Sequence, residues 1–319
     1  MRIKDLKSLP KFRDGWSHLY VEHCRVDKHD RSVAVQDDEG LIQVPCANLA
    51  LLMLGPGVSI THAAVLTLAD SGCLLAWCGE GSVRFYAAGM GESRSAARLL
   101  KQVEAYADPS RRMSVVRCMY QMRFRESLDS SLSLQQIRGK EGIRVRETYA
   151  RLSLKTGIAW SGRSYRRGEW ATADPVNRAL SAANACLYGV CHAAIVSCGY
   201  SPAIGFIHTG KMLSFVYDIA DLYKTETSIP AAFEMTVEGG EDLERRVRHR
   251  MRDLFVATNL LGRIVLDLQQ LIGELPVAEL ERHSSDSAVP GELWNGAEGT
   301  VAGGCNHGVE GNSHDHSSG

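Results

Sequence analysis

The sequence has almost no net charge, few aromatic residues and no closely paired cysteines. Its formal net charge at pH 7 is −1, aromatic residues make up 7% of the chain, and hydrophobic residues make up 45%. None of the nine cysteines forms a CxxC pair, and Cys186, Cys191 and Cys198 lie in an apolar stretch. We therefore expect an ordinary globular protein of the cytosol, with its cysteines reduced and buried.

Long uninterrupted apolar runs are also scarce. The N-terminal segment MRIKDLKSLPKFRD contains no apolar core, so we expect no signal peptide. One stretch of membrane length, 179–200, is rich in alanine but is interrupted by Asn184, Tyr188 and His192, which favours a buried helix. We therefore expect a cytoplasmic protein that does not associate with a membrane.

The near-zero net charge conceals a basic region. Residues 94–178 contain eighteen Lys and Arg residues against eight Asp and Glu residues. A basic face can bind phosphates while acidic residues elsewhere neutralise the total charge. The composition is therefore compatible with nucleic-acid binding.

The pattern of the chain changes near residue 90. Before that point, short β-branched or aromatic runs alternate with turn signals, which predicts strands and hairpins with one helix capped by Thr61. Beyond it, amphipathic patterns predict long helices, including one opened by Asp174 and Pro175 and one continuous helix over about 241–274. We predict an α+β fold, with an N-terminal β-rich domain over 1–90 followed by a larger all-α domain over 91–275.

The segment after residue 275 has a different composition. Residues 276–319 are rich in Glu, Ser, Gly and His and poor in apolar residues, so we predict a disordered C-terminal tail. Cys305, His307, His314 and His316 are possible metal ligands there, but a glycine-rich end with one cysteine rarely forms a structural metal site.

The segment GFIHTGKMLSFVYDIADLYK, 205–224, places His208, Asp218 and Asp221 in a run that is otherwise apolar. Residues 214–224 have helical periodicity, so the two aspartates should share a face about one turn apart and repel each other. A divalent cation held by carboxylates and an imidazole would offset that repulsion. A solvated charged helix face is the alternative, although the apolar flanks argue against full exposure.

A third carboxylate, Glu141, lies in a predicted helix among basic residues. Arg138 and Arg144 stand three residues before and after it, so an ion pair explains Glu141 as well as a metal site does. The set of Glu141, His208, Asp218 and Asp221 indicates a particular kind of protein only when the longer segments around these residues are also considered.

Six segments of the sequence follow one another in a distinctive order and spacing. They are MLGPGVSITHAAV at 53–65, WCGEGSVRFYAAG at 77–89, IRGKEGIRVRETYA at 137–150, NACLYGV at 184–190, GYSPAIGFIHTGK at 199–211 and SFVYDIADLYK at 214–224. Through these segments the chain resembles the CRISPR-associated spacer-acquisition integrase family, in particular its type I-E branch. The resemblance extends over about 9–275.

The resemblance implies four catalytic residues, Glu141, His208, Asp218 and Asp221. Glu141, His208 and Asp221 would be ligands of Mg²⁺ or Mn²⁺, and Asp218 would be a further acid needed for chemistry. It also implies a set of DNA-binding residues. They are Arg84, Tyr165, Tyr188, Lys211, Lys224, Arg245 and Arg248.

The residues alone leave other roles open for several of these positions. Lys211 and Lys224 fit equally well as lysines on a helix surface, and Tyr188 fits as a core residue of its helix. The chain also departs from its relatives at one point. Where some relatives carry a tyrosine that stacks on the end of a DNA duplex, this sequence has Glu22 and His23.

The resemblance further implies an activity and partners. The expected protein is a metal-dependent DNA endonuclease and integrase of CRISPR adaptation, a form of antiviral defence. It would insert short duplex DNA into the CRISPR array by attack of a 3′-hydroxyl on a phosphodiester. We expect homodimers that use the N-terminal domain for dimerisation and DNA contact and are bridged by a small ferredoxin-like CRISPR-associated partner. A stand-alone metal-dependent nuclease of branched or single-stranded DNA and a non-catalytic DNA-binding scaffold remain alternatives.

Overall fold

The computed structural model describes residues 19–30, 32–46, 49, 51–79, 85–89, 96–124, 128–129, 131–163, 174–273, 293–295 and 299–301. Over these ranges, strands dominate the N-terminal part and helices form the larger remainder. The predicted α+β class is therefore confirmed.

The N-terminal part is built from strands and one helix. Within the described residues these are β1 Leu19–Val21, β2 Arg25–His29, β3 Ser32–Asp37, β4 Gly40–Pro45, β5 Leu51–Leu54, β6 Ser59–Ile60, α1 His62–Asp70, β7 Leu74–Cys78 and β8 Phe85–Ala88. They form two four-stranded sheets, in the orders β1-β5-β7-β8 and β4-β3-β2-β6. The parallel strands β5 and β7 are joined by a crossover that contains α1, as parallel pairing requires.

The helical part follows. Its helices are α2 Ala97–Ala107, α3 Pro109–Phe124, α4 Leu134–Thr156, α5 Pro175–Ser197, α6 Ser214–Ala220, α7 Ser228–Val237, α8 Leu243–Ala257 and α9 Leu260–Ile272. Of the segment 276–319, the structure describes one antiparallel strand pair, β9 Leu293–Asn295 and β10 Gly299–Val301.

End signals in the sequence set where several helices start. The Thr61 hydroxyl accepts a hydrogen bond from the Ala64 amide at the start of α1, as predicted. The Asp174 carboxylate accepts one from the Asn177 amide at the start of α5, and Pro175 occupies the first turn, again as predicted.

One predicted element was wrong. The expected helix over 241–274 is interrupted, because Asn259 adopts a left-handed conformation with φ of 45° and separates α8 from α9. Asparagine tolerates this conformation better than most residues, so the chain changes direction there without a glycine.

Helix α5 is the central helix of the molecule. The stretch Pro175–Val196 is long and apolar enough to cross a membrane, but 83% of its most apolar window is buried inside the protein. Helices α6, α7, α8 and α9 all pack against it. The sequence-based prediction of a buried helix is therefore confirmed.

Strand β5 connects the two parts of the molecule because both of its faces are buried. Leu51 and Met53 belong to the large core of the helical part, whereas Leu52 and Leu54 belong to the core between the two sheets. This alternation follows from the two-residue period of a strand. Gly189 of α5 fits closely against β5, since a Cβ atom at this position would lie 3.1 Å from Met53 Sδ. The sheet is thus packed directly on the helix that carries part of the site.

Candidate active site

Asp218 is completely buried in α6 and holds the preceding loop in place. Its Oδ2 atom accepts hydrogen bonds from the amides of Phe206 at 2.6 Å and Ile207 at 3.0 Å, and its Oδ1 atom accepts one from the His208 amide at 2.9 Å. The loop is tight at Gly205, where a Cβ atom would lie 2.4 Å from the His208 carbonyl oxygen. Three backbone donors thus stabilise a carboxylate that has no exposure to solvent.

The same carboxylate orients the ring of His208. His208 Nδ1 lies 2.7 Å from Asp218 Oδ1, so in the neutral imidazole Nδ1 carries the proton and Nε2 keeps its lone pair. The His208 side chain is 43% exposed, and its ring stands edge-on to Tyr217 at 6.0 Å between centroids. A carboxylate behind an imidazole in this way is the usual support of a metal-binding histidine. Asp218 therefore acts as a positioning residue.

Asp221 faces a different environment from Asp218. The helix predicted over 214–224 ends at Ala220, so Asp221 lies at the helix end, and the chain continues in turns. Its carboxylate lies 2.7 Å from Lys224 Nζ and 3.4 Å from Arg123 Nη2. Burial acts to raise the pKa of Asp221, but the charges of Lys224 and Arg123 outweigh it and hold that pKa below its usual value.

Glu141 projects from α4 towards the same arginine. Its two oxygens accept from Arg144, with Nε at 3.0 Å and Nη2 at 3.1 Å, so an ion pair with the residue at i+3 is indeed formed. Arg123 Nη1 lies 3.8 Å from Glu141 Oε1. Arg123 therefore bridges Glu141 and Asp221, and it brings together two of the carboxylates that the sequence resemblance placed in the site.

Arg123 is the residue of this site that sequence reasoning missed. Its side chain is 4% exposed, and its Nε and Nη2 atoms make no hydrogen bond within the described residues. A sequence signal was available, because Arg123 follows Val116, Met119 and Tyr120 at helical spacing on the buried face of α3. A charge on such a face requires an acidic partner.

The donor atoms fit a hard divalent cation, although the described residues contain no group of three or more Asp, Glu, His or Cys side chains at metal-binding spacing. Two carboxylates and an imidazole with a free Nε2 are ligands that Mg²⁺ and Mn²⁺ accept. In this structure Arg123, Arg144 and Lys224 occupy the carboxylate oxygens. A bound cation at Glu141, His208 and Asp221 would take over the charge that these side chains now balance.

Lys224 is anchored beside the acids rather than free on a helix surface. Its Nζ atom lies 5.0 Å from the centroid of the Tyr188 ring, which itself stands edge-on to Tyr217 at 5.2 Å. Burial acts to lower the pKa of Lys224, but the Asp221 carboxylate and the Tyr188 hydroxyl raise it above its usual value. Lys224 is therefore a fixed positive charge at neutral pH.

Helix α8 carries three arginines at helical spacing, Arg245, Arg248 and Arg252, which form its basic stripe. Burial together with the charges of these arginines lowers the pKa of His249. Arg245 is exposed, as is Lys211 near the start of α6. Their predicted contacts with DNA stay predictions.

Arg248 is occupied within the chain. Its guanidinium lies 4.5 Å from the centroid of the Tyr20 ring and 3.6 Å from Glu22 Oε1, and the Tyr20 hydroxyl donates to Glu22 Oε2 at 2.5 Å. Glu22, which directly follows β1, thus connects the end of this strand to α8. The predicted DNA contacts Arg84 and Tyr165 lie outside the described residues.

The fold and the site together define a class of protein. A mixed sheet packs on a helical body in which the buried Arg123 bridges two carboxylates and a third carboxylate, Asp218, orients the ring of His208. Residues 18–128 and 119–236 match the family model described as CRISPR associated protein Cas1. The chain therefore belongs to the Cas1 family.

Individual relatives cover nearly the whole chain. CRISPR-associated endonuclease Cas1 2 of Thermus thermophilus is 54% identical over 306 residues, which is 96% of this chain and 94% of the relative. CRISPR-associated endonuclease Cas1 of Escherichia coli K12 is 39% identical over 281 residues, which is 87% of this chain and 92% of the relative. The crystal structure of a TtCas1-DNA complex has a TM-score of 0.79 at 52% identity, covering 90% of this chain and 99% of the solved one.

Proposed function

We propose that this chain is a metal-dependent DNA endonuclease and integrase of CRISPR adaptation, of the type I-E branch. It inserts short duplex DNA into a CRISPR array by 3′-hydroxyl transesterification. The observations that carry the proposal are that Asp218 orients the ring of His208, and that the buried Arg123 bridges the carboxylates of Glu141 and Asp221. The carboxylate of Asp221 also lies within electrostatic reach of His208. Two relatives are named as CRISPR-associated endonucleases, and one solved relative is a complex with DNA. These names support the DNA endonuclease activity in the proposal.

Glu141, His208 and Asp221 would hold Mg²⁺ or Mn²⁺, which when bound supplies Lewis-acid polarisation of the phosphate and lowers the pKa of the attacking hydroxyl. The protein side chains prepare that site. Asp218 keeps the Nδ1 proton of His208 in place, so that Nε2 remains available. The lowered pKa of Asp221 keeps its carboxylate ionised at neutral pH.

Fixed cations supply the second part of the chemistry. Phosphoryl transfer concentrates negative charge on the oxygens of the transferred group, and preorganised cations in a partly buried site stabilise that charge more strongly than water does. Arg123 and Lys224 are held in such positions by Asp221. They would therefore stabilise the transition state once DNA is bound.

The remaining predicted contacts complete the proposal. Duplex DNA, both as spacer precursor and as CRISPR repeat, would bind along exposed basic residues such as Lys211 and Arg245. We further propose a cytoplasmic homodimer bridged by a small ferredoxin-like CRISPR-associated partner. The basic stripe of α8 and the sheet of the N-terminal part provide extended surfaces for such contacts.

Strand joining tests the proposed function. Purified protein and its small partner are mixed with a short duplex bearing free 3′-hydroxyls and a supercoiled plasmid carrying a CRISPR repeat, with Mg²⁺ or Mn²⁺. Wild type should join strands and Asp221→Ala should not, while Glu104→Ala, which removes an exposed carboxylate paired with Arg111, should remain active. Metal-dependent cleavage without joining would favour the stand-alone nuclease. DNA binding without any strand chemistry would leave only the scaffold.

A further inference from the structure

A cleft of about 340 Å³ lies beside the candidate active site, between α3, α4 and the turns that follow α6. This volume is at the small end of the range of ligand-binding clefts, about 300–1,000 Å³. The cleft shares Arg123 and Arg144 with the active site, and Arg151 is a third arginine in its lining. Of the DNA-binding residues predicted from the sequence, none that the structure describes lies in its lining.

Positive charge is in surplus at this cleft. Glu226, the acidic residue in the lining, is paired with Arg263 at 2.7 Å, and Glu141 is paired with Arg144. Arg151 is exposed and has no ion pair within the part of the chain that the structure describes. The surplus indicates an anionic ligand.

The lining also has the polar and apolar groups that a nucleotide needs. Arg144 and Arg151 lie at i and i+7 on one face of α4. Thr225 Oγ1 accepts a hydrogen bond from Arg144 Nη1 at 3.3 Å, so its own hydroxyl proton remains available to an anion. Phe124 and Leu222 supply the apolar part of the lining, and the Arg144 guanidinium lies 5.7 Å from the centroid of the Phe124 ring.

We propose that this cleft binds one phosphate group of an unpaired DNA strand, with the sugar or base of that nucleotide against Phe124 and Leu222. The phosphate follows from the arginines and the threonine hydroxyl, while the choice of DNA as the polymer rests on the proposed function. An aromatic ring beside guanidinium groups is a combination that binds single-stranded nucleic acid.

Binding of the phosphate has a consequence for the active site. Arg144 now directs two donors at Glu141, in the fork geometry that also binds phosphate. A phosphate in the cleft competes with Glu141 for this guanidinium. Exchange of the partner releases Glu141 for a metal ion, so DNA binding and metal binding assist each other.

The binding test uses a labelled single-stranded oligonucleotide in the presence of a chelator, over a series of salt concentrations. Arg151→Gln should weaken binding several-fold and reduce the slope of log K against log salt by about 0.7. Lys155→Gln, which removes the same charge one turn further along α4 outside the cleft, should leave both quantities unchanged. An unchanged slope in Arg151→Gln, or equal changes in both variants, overturns the proposal. The test involves neither metal nor turnover, so loss of strand joining would leave it intact.

Two further measurements separate the sources of the anion and the exchange at Arg144. In the first measurement, inorganic phosphate alone is titrated into the protein by calorimetry. Phosphate binding that is weakened by Arg151→Gln, together with an unchanged salt slope for the oligonucleotide, would indicate a site for free anions and overturn the assignment to DNA.

In the second measurement, the affinity for Mn²⁺ is followed by electron paramagnetic resonance, and it should be at least about fivefold tighter with the oligonucleotide present. Equal affinity with and without DNA would overturn the exchange.

Discussion

A buried arginine and a partly exposed lysine balance the charges of the acidic residues in the site. Arg123 lies between Glu141 and Asp221, and Lys224 holds the other oxygen of Asp221. Removing a carboxylate would leave the charge of the buried Arg123 with less compensation, and for a fully buried pair such a loss costs about 3–5 kcal/mol. These cations therefore balance the charges of both acids in the absence of a metal ion.

The substitution Asp218→Asn tests whether Asp218 positions the ring of His208. Asp218→Asn keeps the shape of the side chain, but it places an amide donor against either the backbone amides of Phe206 and Ile207 or the Nδ1 proton of His208. The His208 ring then loses its support, so Mn²⁺ affinity measured by paramagnetic resonance should fall about 10–100-fold. Unfolding by urea verifies that the variant is folded. A folded variant with wild-type Mn²⁺ affinity would show that Asp218 does not position the histidine.

Residue types were easier to predict from the sequence than their partners. The segment 205–224 indicated His208 and Asp221 because charged groups in an apolar run require compensation. The compensating Arg123 comes from α3, and spacing along the chain does not determine which helices meet. The metal-ligand roles of Glu141, His208 and Asp221 remain part of the proposal.

At the scale of elements, the buried His192 of α5 makes the stability of the protein depend on pH. Burial lowers the pKa of His192 to about 4, below the value of about 6.5 for an exposed histidine. The unfolded chain therefore binds a proton that the folded chain does not between pH 6.5 and 4, so this group reduces stability as the pH falls through that window.

His192→Leu tests this pH dependence. The free energy of unfolding in urea should fall by about 2 kcal/mol less between pH 7 and pH 5 in the variant than in wild type, because leucine cannot take up a proton. The comparison of the two proteins cancels the contributions of other titrating groups. Identical losses in both proteins would mean that His192 is not held neutral by burial.

Element boundaries were predicted well where the sequence carries a cap and poorly where it does not. Thr61 caps the start of α1 and Asp174 caps the start of α5, both as predicted. By contrast, α6 ends at Ala220 with neither glycine nor proline, and Asn259 interrupts the predicted helix over 241–274. The helices at these two places pack against α5. Such contacts between distant parts of the chain override local helix propensity, so the local sequence does not predict these ends.

At the scale of the whole molecule, the two parts are joined by shared packing as well as by the chain. β5 contributes to both hydrophobic cores, and Arg248 of α8 contacts Tyr20 and Glu22 of the N-terminal sheet. Burial and the neighbouring Glu22 carboxylate raise the pKa of Tyr20, so its hydroxyl remains a hydrogen-bond donor at physiological pH. These two contacts therefore fix α8 against the N-terminal part of the molecule.

We propose that Glu141, His208 and Asp221 together bind one divalent cation. Anomalous diffraction from crystals of the full chain soaked in Mn²⁺ tests it most directly, with crystals of His208→Ala as the control. We expect one strong anomalous peak between the three side chains, next to His208 Nε2, in the wild-type crystals. This peak should be lost in the crystals of His208→Ala. A peak elsewhere, or an unchanged peak in His208→Ala, would contradict it.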